Sequence, residues 1–316
     1  MQFLEELERH GPTSSPSLMS LTEARAYCEQ LATSHYENFS VLTSLTPKPS
    51  RPHFAAVYAF CRWSDDLGDE VGDRARSREL LAWWDRQLQA MYAGEASHPI
   101  LIALADTVKT YEIPIDPFRA LISAFAQDQD VLEYPSYEQL HDYCTLSADP
   151  VGRLVLYLCN AYSPRNAQLS DLTCTGLQLA NFWQDVSRDL DIGRIYLPAD
   201  DRQRFGLDDQ SLRDKRFTNE YRELLRFEVL RARNLLLEGR ELLRQLHGRF
   251  RLTIDVFNRG GLAILDAIER AEFDTLSHRP QVSKTQKIGI MVDGLLRKPI
   301  SRGRVRSWPL ASEHGR

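Results

Sequence analysis

The chain contains the stretch Gln178-Leu-Ala-Asn181-Phe-Trp-Gln-Asp185-Val-Ser-Arg-Asp189, in which polar residues recur at helical spacing. Steps of three, four and four residues place Gln178, Asn181, Asp185 and Asp189 on one stripe of an α-helix. Apolar and aromatic residues flank this stripe, so the polar side chains are predicted to line a cavity. Carboxylates one turn apart repel each other, and a divalent cation held by both would reverse that effect.

An earlier stretch, Tyr58-Ala-Phe-Cys-Arg62-Trp-Ser-Asp65-Asp66-Leu-Gly-Asp69, has the same design. Tyr58, Arg62, Asp65 and Asp69 share one helical stripe. Two facing helices of this kind could hold Mg²⁺ against a diphosphate, because Mg²⁺ favours carboxylate and phosphate oxygens. Taken alone, each aspartate pair is more often a solvated helix face, and Arg62 could simply form an intrahelical ion pair with Asp66 or Asp69.

The composition excludes several classes of protein. A net charge of −5 over 316 residues gives no indication of nucleic-acid binding. The five scattered cysteines contain no CxxC pair, which is typical of reduced thiols in a cytosolic protein. Because charges interrupt every apolar run, we expect a soluble protein that could still lie on a membrane surface.

Helical periodicity dominates the rest of the chain, and no alternating β pattern of useful length occurs. The sequence therefore predicts an all-α protein of about ten helices or more. The predicted helices cover residues 21–32, 54–69, 78–91, 98–111, 117–127, 137–159 (interrupted at Pro150), 169–190, 219–246, 252–276 and 288–296.

The chain is predicted to form one catalytic domain, because no Pro/Gly/Ser-rich linker divides its middle. This domain covers residues 18–298. Residues 1–17 are expected to be a flexible segment because of their Gly, Pro and Ser content. Residues 299–316 are expected to be a flexible basic tail that carries Arg302, Arg304 and Arg306.

The two aspartate-rich stretches resemble the paired motifs of the squalene/phytoene synthase family. The second motif continues into Arg194-Ile-Tyr196-Leu-Pro198, which makes the resemblance specific. The likeness covers about residues 33–297 and includes Tyr143-Cys144, Pro150-Val151-Gly152 and the segment from Gly260-Gly261 to Glu269.

The resemblance implies an isoprenoid-synthase helical bundle around a central apolar cavity, in which a prenyl diphosphate is ionised. It implies two or three Mg²⁺ ions held by Asp65, Asp69, Asp185 and Asp189. The catalytic residues that it implies are these four aspartates with Tyr58 and Tyr143. The substrate-binding residues that it implies are Tyr36, Asn38, Arg62, Gln178, Asn181, Arg194 and Tyr196. Lys284 and Lys287 are weaker candidates for the same anion, and Phe182 and Trp183 are better explained as core.

Two segments are similar to the bacterial hydroxysqualene synthase branch of the family. These are Tyr36-Glu37-Asn38-Phe39 and Ala148-Asp149-Pro150-Val151-Gly152, which differ from the usual phytoene synthase pattern. That branch ionises presqualene diphosphate in hopanoid-linked squalene formation, and water captures the rearranged cation as hydroxysqualene. NADPH is therefore not expected. Residues 36–38 are hypothesised to position this water or to block a second prenyl diphosphate.

Two alternatives stay open at this point, and a third is disfavoured. The first is a synthase that condenses two prenyl diphosphates head to head, giving presqualene diphosphate, squalene, phytoene or dehydrosqualene. The second is a non-catalytic homologue that binds prenyl lipid or assembles pathway enzymes of squalene formation. A helical metal phosphohydrolase is disfavoured, because none of the eight histidines clusters near either motif. The sequence does not decide the length of the isoprenoid chain that is bound. It also leaves the oligomeric state and any peripheral membrane association open.

Overall fold

The computed structural model describes residues 2–15, 19–34 and 47–283. Within these ranges the chain forms helices and turns, with a single isolated parallel bridge between Glu133 and Ile195. The all-α prediction is confirmed. The helices are α1 (Gln2–His10), α2 (Leu21–Ser34), α3 (Arg51–Asp69), α4 (Arg74–Tyr92), α5 (Pro99–Tyr111), α6 (Asp116–Gln127), α7 (Tyr137–Ser147), α8 (Asp149–Leu158), α9 (Pro164–Asp191), α10 (Ala199–Arg204), α11 (Asp209–Arg213), α12 (Asn219–Gly239) and α13 (Gly248–Arg270).

Helix α9 runs through the centre of the second half of the fold. Its start is capped by Ser163, whose hydroxyl accepts a hydrogen bond from the Asn166 backbone N–H at 3.1 Å. It packs against α8, α12 and α13. The approach to α12 requires a glycine, because a Cβ at Gly239 would lie 2.3 Å from Thr173 Oγ1. This packing fixes the position of α9, whose last two turns carry the second aspartate motif.

Helix α3 has the equivalent place in the first half of the fold. It packs against α2, α4, α5 and α6. The ring nitrogen of buried Trp84 on α4 donates to Ser64 Oγ at 3.0 Å, and Phe60 and Trp63 pack beside it. These contacts fix the rotation of α3 about its axis, so the opposite face, which carries Tyr58 and Asp65, remains only half-buried.

The structure corrects the predicted extent of the flexible N-terminal segment. Residues 1–17 are expected to be flexible, but residues 2–10 form helix α1. Phe3 and Leu7 share one face of this helix and pack against the core, and the Phe3 ring lies 5.2 Å from Trp63. Burial of these apolar side chains stabilises a helix that is too short to be stable alone.

Several predicted helix boundaries also change. The helix predicted over residues 137–159 is divided into α7 and α8, with Ala148 between them and Pro150 in the first turn of α8, as the proline indicates. The helix predicted over 252–276 ends at Arg270. The helix predicted over 288–296 and the predicted basic tail lie outside the described residues.

All five cysteines are free, in agreement with the expected reduced thiols. In the described part of the chain, no helix has the length and the apolar composition needed to traverse a bilayer.

Asp149, at the start of α8, gives a testable pH dependence of stability. Its carboxylate is buried and accepts a hydrogen bond from the Thr175 hydroxyl at 2.9 Å. Burial, followed by the nearby Asp171 carboxylate, raises the pKa of Asp149 to about 7. Because the folded-state pKa lies above the unfolded value, the stability contribution of the protonated group is fully present below about pH 4. It is lost as the pH rises through 7.

We therefore expect Asp149→Asn to raise the melting temperature at pH 8, with a stabilisation on the order of 2 kcal/mol. The amide oxygen can still accept the Thr175 hydrogen bond, while the buried charge is removed. The difference from the unmodified protein should shrink as the pH falls to 5, which thermal melts across pH 5–8 would measure. Melting curves that differ by the same amount at every pH would contradict the assignment of this titration to Asp149.

Candidate active site

The first aspartate motif lies at the carboxyl end of α3. Asp65 is 39% exposed, and Arg62 Nη1 lies 3.3 Å from its Oδ2. The same guanidinium donates to buried Asp66, so the predicted intrahelical ion pair of Arg62 is present. Removal from water, followed by repulsion from Asp69, raises the pKa of Asp65 to about 7. The two stripe aspartates therefore carry more negative charge than Arg62 neutralises.

The second motif lies in the last two turns of α9. Asp185 is 14% exposed, and Arg188 Nη1 lies 3.7 Å from its Oδ1. Burial and the neighbouring Asp185 carboxylate raise the pKa of Asp189 to about 7. This pair thus resembles the first one, with two carboxylates one turn apart, one of which has a raised pKa.

Arg194 connects the two motifs. It follows α9 on the segment whose Ile195 N–H donates to the Leu132 carbonyl at 2.7 Å, within the isolated parallel bridge. From this position Arg194 Nη2 donates to Asp69 Oδ1 at 3.3 Å. The two motifs, 125 residues apart in sequence at this contact, therefore belong to one site.

Aromatic side chains pack beside this junction. The rings of Phe182 and Tyr196 stack with centroids 3.7 Å apart, and both side chains are buried. They line a small pocket together with Asp189 and Arg194. Tyr196, a predicted substrate-binding residue, thus lies next to two of the polar residues of the site, and Phe182 packs in the core as expected.

The Tyr143 hydroxyl donates a hydrogen bond to Asp128 Oδ2 at 2.9 Å. Asp128 ends α6, and burial raises its pKa to about 6 against the opposing effect of the Arg194 charge. Its second oxygen, Oδ1, is buried without a hydrogen-bond partner in the described residues. The Asp128 carboxylate therefore has an oxygen without a hydrogen bond from these residues, and when ionised it adds to the negative charge near Arg194 and Asp69.

Arg279 closes the site from the chain segment that follows α13. Its Nη2 donates to Asp185 Oδ2 at 2.9 Å, and Nε binds the other oxygen of the same carboxylate. Gln184 holds this segment in place, because it donates from Nε2 to the Pro280 carbonyl at 2.6 Å and accepts from Arg279. The pair is bidentate, which is the geometry that guanidinium groups use for carboxylates and phosphates.

The structure thus brings many of the predicted residues together. Tyr58 is half-buried on the stripe of Asp65, and Gln178 is half-buried on the stripe of Asp185, where Asn181 is exposed. The other predicted positions, Tyr36, Asn38, Lys284 and Lys287, lie outside the described residues.

Two residues of the site, Asp128 and Arg279, are not predicted from the sequence. Asp128 stands at a helix end without a spacing that relates it to either motif. Arg279 lies in a segment without helical period, nine residues beyond the end of α13 at Arg270. Only the tertiary contacts reveal either residue.

The chemistry of these donors fits a hard divalent cation. Among the described residues, no group of three or more His, Cys, Asp or Glu side chains is close enough to hold a metal by itself. Each motif instead presents a pair of carboxylates, and one member of each pair has a raised pKa. Paired carboxylate oxygens are the ligands that Mg²⁺ prefers when it also binds the phosphate groups of a substrate.

The chain is similar to several known proteins. It is 30% identical to a phytoene synthase of Arthrospira platensis, over 83% of this chain and 89% of the relative. It is 28% identical to a 15-cis-phytoene synthase of Synechocystis sp., over 90% of this chain and 87% of the relative.

Two solved structures share both fold and sequence with it. The squalene synthase HpnC from Alicyclobacillus acidocaldarius is 44% identical, with a TM-score of 0.77 over 80% of this chain and 95% of that protein. A dehydrosqualene synthase in complex with ligand is 25% identical, with a TM-score of 0.79 over 87% and 96% of the two chains. The squalene/phytoene synthase family profile matches residues 32–286. Because the match covers most of the chain and both aspartate motifs, the protein belongs to the squalene/phytoene synthase family.

Proposed function

We propose that this protein ionises presqualene diphosphate in the presence of Mg²⁺, and that water captures the rearranged carbocation to give hydroxysqualene and diphosphate. The observation that carries this proposal is the 44% identity to the squalene synthase HpnC, compared with 30% to the Arthrospira phytoene synthase. The segment Ala148-Asp149-Pro150-Val151-Gly152, which differs from the usual phytoene synthase pattern, points in the same direction. The proposed reaction would belong to squalene and hopanoid biosynthesis.

The four stripe aspartates, Asp65, Asp69, Asp185 and Asp189, would hold two or three Mg²⁺ ions. When bound, these ions supply charge neutralisation to the departing diphosphate. The raised pKa values of Asp65 and Asp189 are consistent with this role, because each carboxylate is removed from water and lies beside a second carboxylate that a shared cation would neutralise.

Three arginines would bind the oxygens of the diphosphate. Arg62, Arg194 and Arg279 each lie beside a stripe aspartate, at 3.3, 3.3 and 2.9 Å respectively. Guanidinium groups bind carboxylate and phosphate with the same bidentate geometry. We infer that each arginine turns from its aspartate to the diphosphate when the aspartates bind cations. The arginines thereby orient the leaving group.

The aromatic side chains would protect the carbocation from early capture. The stacked pair Phe182 and Tyr196 and the buried Tyr143 ring are close to the polar end of the site, where they would shield the cation from bulk water. The Tyr143 hydroxyl is held by Asp128, so its ring has a fixed orientation. Burial and the Asp128 charge raise the pKa of Tyr143 well above its ordinary value, so this hydroxyl keeps its proton.

Capture of the cation requires one positioned water molecule. Tyr36 and Asn38, in the segment that departs from the phytoene synthase pattern, are our candidates for this role. Changing either residue should redistribute the products of the reaction. Unaltered hydroxysqualene formation by variants at both positions would remove this part of the proposal.

A second candidate function is the head-to-head condensation of two prenyl diphosphates, which the similarity to phytoene synthases favours. One experiment separates the two. The purified protein is incubated with presqualene diphosphate or farnesyl diphosphate, with and without Mg²⁺ and NADPH, and the products are identified. We expect hydroxysqualene from presqualene diphosphate, dependent on Mg²⁺ and independent of NADPH.

Formation of presqualene diphosphate from farnesyl diphosphate would favour the condensation instead. Squalene that forms only when NADPH is added would contradict water capture. Binding of either substrate without release of diphosphate would indicate a non-catalytic homologue.

A further inference from the structure

Arg194 lies on an irregular segment between two helices. Helix α9 ends at Asp191, and α10 begins at Ala199. Segments of this kind are usually the more mobile parts of a fold. The Arg194 guanidinium nevertheless reaches Asp69 Oδ1 at 3.3 Å, and its side chain is only 19% exposed. Contacts with another part of the chain must therefore hold this segment in place.

A second irregular segment, residues 132–135, accepts hydrogen bonds from the chain that follows Arg194. It lies between α6 and α7. The backbone contacts are Ile195 N–H to the Leu132 carbonyl at 2.7 Å, Ala199 N–H to the Tyr134 carbonyl at 2.9 Å and Asp200 N–H to the Pro135 carbonyl at 3.0 Å. The position of Arg194 therefore depends on where residues 132–135 lie.

Glu133 belongs to this second segment, and two arginines hold its carboxylate. Arg202 Nη2 donates to Glu133 Oε2 at 3.1 Å, and Arg213 donates to the other oxygen. Partial burial opposes ionisation of Glu133, but the hydrogen bonds from Arg213 and Arg202 lower its pKa. Glu133 is therefore a carboxylate anion at neutral pH.

Arg202 connects this carboxylate to the segment that carries Arg194. It lies on α10, eight residues after Arg194, and its side chain is only 2% exposed. Its Nη1 also donates to Asp209 Oδ1 at 2.6 Å. The Glu133–Arg202 ion pair thus joins, through side chains, the same two segments that the backbone hydrogen bonds join.

Stability alone does not explain a buried arginine at this point. Removal of charges from water costs free energy, and apolar residues of similar volume often stabilise a core equally well. The advantage of an ion pair is its direction, because the planar guanidinium fixes the distance and the orientation of its carboxylate. Arg202 therefore determines the spacing of the two segments more strictly than apolar packing would.

We propose that Arg202 is a positioning residue for Arg194, and that its ion pair with Glu133 holds the Arg194 guanidinium where a prenyl diphosphate binds. This inference rests on the proposed function, because it assumes that Arg194 contacts the diphosphate. Without the ion pair, the Arg194 segment can shift against residues 132–135. Arg194 then samples more orientations, and the cost of ordering it on the ligand reduces affinity.

Binding of an unreactive analogue tests the inference separately from turnover. The dissociation constant of farnesyl thiodiphosphate is measured with Mg²⁺ by calorimetry, at a temperature where thermal melts show each variant to be folded. We expect Arg202→Met, which removes the guanidinium at similar volume, to weaken binding about fivefold. Glu133→Gln removes the same ion pair from the other side and should weaken binding to a similar extent. If Arg202→Met does not fold, Glu133→Gln decides the question.

Combination with Arg194→Ala distinguishes positioning from a general structural role. Arg194→Ala should weaken binding at least about tenfold, because a charge-assisted contact to the diphosphate is lost. If Arg202 acts through Arg194, the addition of Arg202→Met or Glu133→Gln to Arg194→Ala should change the dissociation constant less than about twofold. A purely structural role would weaken binding by the same factor with and without Arg194.

Arg233 provides the matched control. Its side chain is 14% exposed, and its two Nη atoms lie 2.8 Å from Asp266 Oδ1 and 2.8 Å from Glu269 Oε1. It is thus another largely buried arginine that binds two carboxylates, but its ion pairs join α12 to α13. Arg233→Met should leave the affinity for farnesyl thiodiphosphate unchanged within about twofold.

An equal loss of affinity with and without Arg194 would overturn the inference, and so would the same loss in Arg233→Met. Unchanged binding by Arg194→Ala, or by both Arg202→Met and Glu133→Gln, would overturn it as well. Absence of binding to the unmodified protein would have the same consequence. The expected pattern of affinities, combined with no release of diphosphate from presqualene diphosphate, would support the inference and overturn only the proposed function.

Discussion

Asp65→Asn is expected to reduce diphosphate release from presqualene diphosphate by at least about 100-fold and, without divalent cations, to raise the melting temperature. The loss of activity follows from the removal of a carboxylate that would hold Mg²⁺ against the leaving group, which contributes several kcal/mol to such a step. The gain in stability follows from the removal of Asp65 from water and from its repulsion by Asp69, which together raise its pKa to about 7. The neutral amide removes this repulsion.

Asp66→Asn is the matched control, because it makes the same chemical change at the next residue. Asp66 lies off the polar stripe, where it is buried and its carboxylate pairs with Arg62. Breaking this pair leaves the guanidinium with only its contact to the more exposed Asp65, so the variant should melt at a lower temperature than the unmodified protein. Its activity at a temperature where it is folded should fall less than that of Asp65→Asn.

Steady-state diphosphate release and thermal melts with and without Mg²⁺ measure both effects. The opposite signs of the two stability changes distinguish a metal-binding carboxylate from a structural one. A lower melting temperature for Asp65→Asn without cations would contradict the destabilising effect of the ionised Asp65 carboxylate. Full activity of that variant would exclude Asp65 from the catalytic site.

Helical spacing in the sequence predicts the polar stripes of α3 and α9 because a helix of 3.6 residues per turn determines which side chains share a face. The same rule places Asp66 off the stripe, and the structure buries it beside Arg62. Local rules also predict the break before Pro150. These features depend on neighbours within about one helical turn.

Features that depend on distant contacts are not predicted in this way. Helix α1 is stabilised by the contact of Phe3 with Trp63, which joins residues 60 positions apart. The Tyr143 partner Asp128 and the pairing of Arg194 with Asp69 require the tertiary fold. The family resemblance leads to the substrate-binding role that we propose for Arg194, while the geometry shows that its partner is Asp69.

Substitution of Arg279 is also expected to have a large effect, because its guanidinium binds the Asp185 carboxylate, which we propose as a Mg²⁺ ligand. Its guanidinium binds both oxygens of Asp185, which is only 14% exposed. A cation that uses those oxygens must displace the guanidinium. The arginine is therefore a competitor of the cation before substrate binds and, as we propose, a donor to the diphosphate afterwards.

Arg279→Ala should consequently have effects of opposite sign on the two steps. Without substrate, apparent Mg²⁺ affinity should rise roughly tenfold, which corresponds to loss of a competing interaction of about 1.4 kcal/mol. Turnover of presqualene diphosphate should fall about 100-fold, because a charge-assisted bidentate contact to the leaving group is lost. Without Mg²⁺ the variant should also melt at a lower temperature, since Asp185 then keeps only the long contact to exposed Arg188 and still faces Asp189.

Arg188→Ala is the matched control for this prediction. Arg188 lies 3.7 Å from the same Asp185 carboxylate, but it is 65% exposed and makes a single long contact. Exposed pairs contribute little, so its removal should change Mg²⁺ affinity less than about threefold. Calorimetric Mg²⁺ titrations of both variants decide between two roles for Arg279. A rise in affinity that accompanies the loss of turnover identifies an arginine that exchanges between carboxylate and diphosphate, whereas a fall in both would identify a purely structural pair.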